Sequence, residues 1–164
     1  MAFIPDAFDP PMSIAHAPFQ LRVLAPALAD LDYEAVVAST SRLKNIFGNN
    51  WPGDHFTFAR NMSDLGMHER DFSERKAFAY SMLDQSGTKY LGCIYIDPLA
   101  LERDEQTERY RAQVYFWLSC LHDELTSAQA LSLLKRWFAQ YWPFDEVIFP
   151  MFDSTAVTQS GAAR

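Results

Sequence analysis

The chain of 164 residues is 49% hydrophobic and 15% aromatic, which is enough apolar material for one folded domain with its own core. Its 14 basic and 21 acidic residues give a formal net charge of -7, which argues against nucleic acid and anionic membrane surfaces as partners. No apolar run approaches the roughly 20 residues of a membrane span, and no secretory signal begins the sequence. We therefore expect a cytoplasmic protein, which could still bind an anionic cofactor through local amides and a few cations.

The sequence divides into three parts. Residues 1–18 are rich in proline, so we predict an extended arm rather than a helix. Apolar residues at Ala2–Ile4 and Phe8 could dock this arm on the body of the protein or on a second subunit. Residues 19–150 are expected to form the folded domain, and residues 151–164 a flexible tail.

The domain opens with an alternating tract, Phe19–Leu24, that predicts a first strand, and Pro26 ends it. A first helix follows, because four residues recur at helical spacing: Val36, Thr40, Leu43 and Phe47. Asp30 or Asp32 can cap the start of this helix, and Gly48 can close its end.

Trp51 lies in the next loop, either as a core plug, which we favour, or as a lid over a pocket. A second helix is predicted to start near Thr57, with its apolar side formed by Phe58, Met62, Leu65 and Phe72. Gly66 weakens its middle, so two shorter helices are an alternative. The run His68–Asp71 resembles catalytic material, but we interpret it as a solvated face because adjacent helical residues point in different directions.

A three-stranded meander forms the predicted centre of the fold. Its strands are Ala77–Leu83, Tyr90–Ile96 and Ala112–Leu118, and the last is apolar enough to be covered on both faces. The turn Asp84–Thr88 joins the first two strands, and Gly87 can take a positive φ there.

Two more elements complete the domain after a highly charged connection at 99–111. Thr126 and Gln129 have the spacing of a capping box, which predicts the start of a helix. Its apolar stripe comprises Leu131, Leu134, Phe138 and Tyr141. A short buried strand, Glu146–Phe149, follows.

Cysteines and histidines indicate no metal or nucleophile site. Cys93 and Cys120 lie in apolar surroundings, so we interpret both as buried reduced thiols. The histidines show no paired metal-ligand spacing and are scattered along the chain: His16, His55, His68 and His122. No P-loop or G-x-S-x-G element is present.

The order strand, helix, helix, meander, helix, strand resembles the GNAT superfamily of acyl-CoA-dependent N-acyltransferases. The tract Ala112–Leu118, followed by the helix from Ser127, carries the resemblance. Further matching tracts are Asp32–Val36, Trp51–Pro52, Phe78–Tyr80 and Leu91–Pro98. The resemblance implies an α/β (α+β) single domain with a mixed, mostly antiparallel sheet flanked by helices.

The resemblance also implies a mechanism. In the family, acyl-CoA lies in a V-shaped opening between the fourth and fifth strands, and amides at the next helix start hold its pyrophosphate. Acetyl-CoA is therefore the expected cofactor, and a small-molecule or protein amine the expected acceptor. The implied cofactor-binding residues are Trp117, Leu118, Ser119, Thr126, Ser127 and Ala128. Candidate bases are Gln113, Asp97 and Glu74.

Two departures from the family keep an alternative open. The segment 120–127 contains no glycine for close backbone approach to a phosphate, and it places Asp123 and Glu124 where an anion would sit. The family's last helix and strands have no counterpart here, and Tyr141 does not match the family's proton-donating tyrosine. The alternative is a catalytically degenerate fold that binds a ligand or protein. It could form a homodimer through the edge of its last strand or through the arm.

Overall fold

The computed structural model describes residues 2–16, 18–44, 46–47, 49–99 and 110–153. The strands are β1 (Ser13–His16), β2 (Phe19–Val23), β3 (Phe78–Asp84), β4 (Tyr90–Pro98), β5 (Arg111–Leu118) and β6 (Glu146–Ile148). The helices are α1 (Ala29–Ala38), α2 (Thr40–Leu43), α3 (Phe58–Ser73) and α4 (Ser127–Tyr141), and a 3-10 turn spans Pro26–Leu28.

Within the described residues, the strands form one sheet in the order β1-β2-β3-β4-β5-β6. Neighbouring strands are antiparallel except β5 and β6, which run parallel. This arrangement confirms the α/β class with a mixed, mostly antiparallel sheet. The meander is confirmed as β3, β4 and β5, and Gly87 has a φ of 74° in the turn between β3 and β4.

The proline-rich segment before β2 packs onto the body of the protein. Ile4 is buried in the core, and Phe3 and Phe8 pack against it. The Arg75 guanidinium donates to the carbonyl oxygens of Pro5 at 2.8 Å and Phe8 at 2.9 Å. The segment then continues as β1, which the proline content had obscured and which pairs with β2.

The first predicted helix is interrupted. α1 ends at Ala38, α2 ends at Leu43, and Phe47 lies beyond both. The predicted capping by Asp30 or Asp32 is wrong, because α1 follows the 3-10 turn directly and its N-cap is Leu28. Asp32 is instead buried within the fold.

The two longer helices follow their predicted starts but not all of their predicted faces. Thr57 caps α3, which continues through Gly66 without a break, so the alternative of two helices is wrong. Phe58 and Met62 are exposed rather than buried. The capping box of α4 is confirmed, but Tyr141 is exposed, and the buried face also includes Ala130 and Trp137.

The described core residues form a cluster on each face of the sheet. Ile94, Ile96 and Phe116 lie in the larger cluster with the buried residues of α4. Cys93 and Trp117 lie in the smaller cluster, with α1 and α3. The side chains of β4 and β5 thus alternate between the two clusters, as the period of two requires.

The remaining predictions concern the two cysteines, the last strand and segments that lie outside the described residues. Cys93 is buried as predicted, whereas Cys120 is exposed in the loop after β5. β6 is less buried than predicted, with Glu146 exposed. Gly48, most of the connection 99–111 and the tail from residue 154 lie outside the described residues. No helix in the described part of the chain is long and apolar enough to cross a membrane.

Candidate functional site

β5 and β6 separate partway along their length. Their parallel pairing runs from Arg111 and Glu146 to Gln113 and Ile148. β6 ends there, whereas β5 continues to Leu118. The edge of β5 beyond Gln113 therefore faces an opening instead of a neighbouring strand.

The hydrogen bonds of β5 determine which backbone groups face this opening. The Ser119 amide donates to the Leu91 carbonyl at 2.9 Å, so this pair continues the ladder with β4. Because hydrogen-bonded and non-hydrogen-bonded pairs alternate in an antiparallel ladder, Trp117 also faces β4, and Leu118 faces away from it. In agreement, the Leu118 carbonyl accepts a hydrogen bond of 3.2 Å from the Arg42 guanidinium.

A cleft of about 560 Å³ lies where β5 ends and α4 begins. Of the cofactor-binding residues expected from the sequence, those lining it are Trp117, Leu118, Ser119, Thr126 and Ser127. Ala128 lies in the first turn of α4 and lines a separate depression with Pro18 and Arg136. The cleft is the donor-binding candidate.

The charges around this cleft differ from those expected from the loop sequence. Glu124 forms an ion pair with Lys89 and does not line the cleft, although Asp123 does. Arg42 and Lys44, which follow α1 and lie far from this loop in sequence, also line it, as does His122. The cleft can therefore offset the negative charge of Asp123 with cations contributed by the α2 region.

The start of α4 is ordered by its capping box. The Thr126 hydroxyl accepts a hydrogen bond of 3.3 Å from the backbone amide of Gln129. The side-chain oxygen of Gln129 accepts one of 2.9 Å from the backbone amide of Thr126. The first amides of a helix lack acceptors within the helix, and they carry the positive end of its dipole. The amides of Ser127 and Ala128 are thus suited to an anionic group, which fits a cofactor with a pyrophosphate.

A pocket of about 320 Å³ lies on the face of the sheet opposite α4. It is bounded by α3, the start of β3 and the end of β4. Phe47 and Trp51 form an aromatic wall, with ring centroids 5.6 Å apart, and Phe47 also packs on Tyr95 at 5.2 Å. Trp51 is half-buried, packs on the smaller core cluster and lines this pocket. It therefore packs on the core, as the favoured plug interpretation predicts, and it also forms part of the pocket wall.

The pocket contains a histidine beside carboxylates, which sequence reasoning had assigned to a solvated face. Glu69 and Arg70 are exposed, as predicted for this run, whereas His68 lines the pocket, with its ring 5.3 Å from the Tyr95 ring. Burial lowers the pKa of His68, although the charges of Asp64 and Asp71 act in the opposite direction. Burial, followed by the charge of Asp71, raises the pKa of Asp97.

The three candidate bases occupy different environments. Asp97 lines the pocket. Gln113 is its direct partner on β5, and the Gln113 amide donates to the Pro98 carbonyl at 3.5 Å. Glu74 caps the end of α3, where it is exposed and paired with Lys76. Asp97 is thus the candidate that lies in a pocket.

Below the pocket, a buried polar network joins α1 to the sheet. The Tyr90 hydroxyl donates to Asp32 at 2.5 Å and lies 3.1 Å from the Ser81 hydroxyl. Burial raises the pKa of Asp32, and hydrogen bonds from Tyr90 and Asn61 partly oppose the change. Because the folded-state pKa exceeds the unfolded value, ionisation of Asp32 destabilises the fold as pH rises from 3.8 through the folded pKa.

We expect Tyr90→Phe to lower the free energy of unfolding by about 2 kcal/mol where Asp32 is ionised, because a buried carboxylate loses a donor. The loss should be smaller where Asp32 is protonated, so the difference from the wild type should grow with pH. Urea unfolding at pH values from about 4 to about 8 would measure this. A difference independent of pH would contradict the role of the Asp32 charge.

Among the described residues, no group of three or more histidine, cysteine, aspartate or glutamate side chains could hold a metal ion.

No protein-family model matches the sequence, and no curated protein matches it. Solved structures do match the fold. The ribosomal-protein-S5-alanine acetyltransferase of Vibrio fischeri is 15% identical with a TM-score of 0.57, covering 78% of this chain and 67% of its own. The chain has the fold of the GNAT acetyltransferases.

Two further GNAT-fold structures contain cofactors. The microcin C7 self-immunity acetyltransferase, in complex with acetyl-CoA and AMP, is 15% identical with a TM-score of 0.58, covering 75% of this chain and 63% of its own. A ribosomal L7/L12 alpha-N-protein acetyltransferase, in complex with coenzyme A, is 15% identical with a TM-score of 0.58, covering 77% and 66%. This chain thus spans about two thirds of their length.

Sequence reasoning missed Arg42, Lys44 and His68. The two cations of the α2 region are separated from β5 by most of the domain, so no local spacing relates them to the cleft. His68 could have been found, because it lies three residues after the buried Leu65 and can share its side of α3.

Proposed function

We propose that the protein is an acyl-CoA-dependent N-acyltransferase that uses acetyl-CoA as the donor and a primary amine as the acceptor. The observation that carries the proposal is the separation of β5 from β6 beside the capped start of α4. Structures with the same fold include complexes with acetyl-CoA and with coenzyme A, which supports this use of the cleft.

We assign the donor to the cleft, with contacts from Trp117, Leu118, Ser119, Thr126 and Ser127. Ala128, in the adjoining first turn of α4, is assigned through its backbone amide. Leu118 turns its backbone groups toward the opening, so its part of β5 can hydrogen-bond to an extended amide-containing arm. The amides of Ser127 and Ala128 supply the positive helix end for phosphate oxygens. Bound acetyl-CoA would supply an acyl group activated as a thioester.

Arg42 and Lys44 are proposed to compensate for the missing glycine-rich loop. A glycine loop lets backbone amides approach phosphates closely, whereas long cationic side chains reach them from a distance. The Arg42 guanidinium already bonds Leu118 through one nitrogen, and guanidinium has five N–H donors in total. The remaining donors can contact a pyrophosphate without breaking that bond.

Calorimetric titration with acetyl-CoA, and with CoA as a second titrant, tests the donor assignment. We expect saturable binding of both in the micromolar range, because the shared pyrophosphate moiety provides the charged contacts. An absence of saturable binding up to millimolar ligand would contradict the acyltransferase. It would favour the alternative in which this fold is a ligand- or protein-binding module.

The oligomeric state, the location in the cell and the domain boundaries remain predictions. A homodimer could form through β6, the outermost strand of the sheet among the described residues, or through the N-terminal segment 1–18. The cytoplasmic location and the division into 1–18, 19–150 and 151–164 also remain predictions.

A further inference from the structure

The pocket beside Trp51 is a second site, on the opposite face of the sheet from α4. We propose that it binds a compact primary amine with an apolar body, and that His68 takes the proton from the ammonium group of this amine. The inference rests on the proposed function, because it assigns the acceptor and the base of the same reaction.

The pocket lies one strand away from the donor cleft. Tyr95 and Asp97 line the pocket from β4, and their direct partners on β5 are Tyr115 and Gln113. β5 loses its pairing with β6 just after Gln113. Since neighbouring strands lie about 4.8 Å apart, a ligand in the pocket is close to the edge along which we assign the donor.

Aromatic contacts link the two sites across this strand. Phe47 packs on Tyr95 at 5.2 Å and on Tyr115 at 5.9 Å. The Trp117 indole donates to the Tyr95 hydroxyl at 3.3 Å. These contacts fix the position of the pocket wall relative to β5.

The pocket dimensions and walls indicate a small amine with an apolar body. Its 320 Å³ lies at the low end of the about 300–1,000 Å³ of small-molecule sites. Phe47 and Trp51 offer ring faces to an apolar group, and aromatic faces also attract cations. Asp64 and Asp97 supply negative charge for the ammonium end, although Asp64 is also paired with Arg60 at 3.3 Å.

His68 is suited to accept a proton because its imidazole is half-buried and favours the neutral form. Burial lowers its pKa below 6.5, and the acidic neighbours on its own helix limit that decrease. The titratable and charged groups around it on α3, β4 and α1 are Arg60, Asp64, Asp71, Tyr95, Asp97 and Asp32. At neutral pH the imidazole is thus predominantly unprotonated.

The ammonium nitrogen gives one proton to His68 and so recovers its lone pair. That lone pair forms the N–C bond to the acyl carbon while the C–S bond breaks, and the electron pair of the broken bond stays on sulfur. The nitrogen loses a second proton as the amide forms. One of the two protons ends on the thiol and the other in solvent.

Matched probes test the amine specificity. Phenethylamine carries a primary ammonium on an aromatic body, and 2-phenylethanol replaces the ammonium with a neutral hydroxyl. Spermidine lacks the ring, and a short peptide with a free N-terminus represents a protein acceptor. We expect phenethylamine to bind by calorimetry and to be acetylated, as followed by thiol release from acetyl-CoA, in preference to the other three.

His68→Gln tests the base, with His55→Gln as the matched control because His55 is exposed and does not line the pocket. We expect His68→Gln to reduce kcat for phenethylamine by about 100-fold, the low end of the range for general base catalysis. Its KM and its acetyl-CoA affinity should stay within about twofold of the wild type. The rise of kcat/KM with pH through the His68 pKa should disappear, whereas His55→Gln should retain rate and profile.

The outcomes separate this inference from the proposed function. Failure of acetyl-CoA to bind the wild type would contradict the donor assignment. If the donor binds but the peptide or spermidine is the better acceptor, the assigned amine class is wrong. If phenethylamine is acetylated and His68→Gln keeps the wild-type pH profile, His68 is not the base.

Discussion

Replacing both Arg42 and Lys44 with glutamine is expected to weaken binding of CoA and acetyl-CoA by about 100-fold. A charged hydrogen bond to phosphate is typically worth about a factor of ten in affinity, and the double variant removes one from each cation. Both residues line the cleft beside the start of α4. Glu124, the loop carboxylate closer in sequence to α4, pairs with Lys89 instead. Calorimetric titration would measure the loss.

A charge-matched double variant, Lys76→Gln with Arg70→Gln, is the control because both residues are exposed and neither lines the cleft. It has the same net charge, so a general effect of protein charge would appear in both variants. We expect it to bind CoA like the wild type. Equal affinities of the two double variants would contradict the assignment of Arg42 and Lys44 to the pyrophosphate. Raising the salt concentration should weaken wild-type binding more than that of the Arg42 and Lys44 variant.

Gly92→Ala is expected to lower the free energy of unfolding by about 3 kcal/mol, as severe overpacking does. A Cβ atom at position 92 would lie 2.0 Å from the carbonyl oxygen of Trp117 and 3.0 Å from the Met82 side chain. The carbonyl belongs to the backbone of β5, so it cannot rotate away as a side chain would. The strands must separate locally, which would also disturb the part of β5 that we assign to the donor.

Gly66→Ala provides the control for this substitution. Gly66 lies within α3, and the nearest atom to an added Cβ is a Pro26 side-chain carbon at 4.0 Å, an ordinary contact distance. Alanine is favoured over glycine inside a helix by about 0.5–1 kcal/mol, so this variant should be slightly stabilised. Urea unfolding of both variants would measure the difference. A Gly92→Ala variant as stable as the wild type would show that β4 and β5 can separate at little cost.

The sequence by itself determined the elements whose signals are local. Alternation identified the first strand of the meander, a nearly continuous apolar run identified its last strand, and the spacing of Thr126 and Gln129 located the start of α4. Turn chemistry placed Gly87 correctly, with its positive φ. These predictions succeeded because each depends on backbone geometry and on neighbours within a few residues. The order of elements was also sufficient to indicate the GNAT fold, which the structure shares.

Signals that depend on distant packing were misread from the sequence. Asp32 is a residue type favoured at helix caps, yet it is buried, and Tyr90 and Asn61 from other elements donate to it. The helical spacing of three and four residues from Val36 continued across Ser39, where the helix breaks. The Ser39 hydroxyl accepts from the Cys120 amide, an interaction across 81 positions in the chain. Such partners cannot be deduced from local patterns.

The candidate site was decided almost entirely by tertiary structure. The resemblance placed Leu118 and Thr126 near a donor from the sequence. Only the folding of the chain brings Arg42 and Lys44 to the same cleft. Likewise, a polar run on a helix indicates solvent exposure unless another surface covers it, and β4 covers His68 with Tyr95. Local sequence therefore determined where strands and helices form. Long-range packing decided which of their polar side chains are partly removed from water, and burial is what alters the proton affinity of His68 and Asp97.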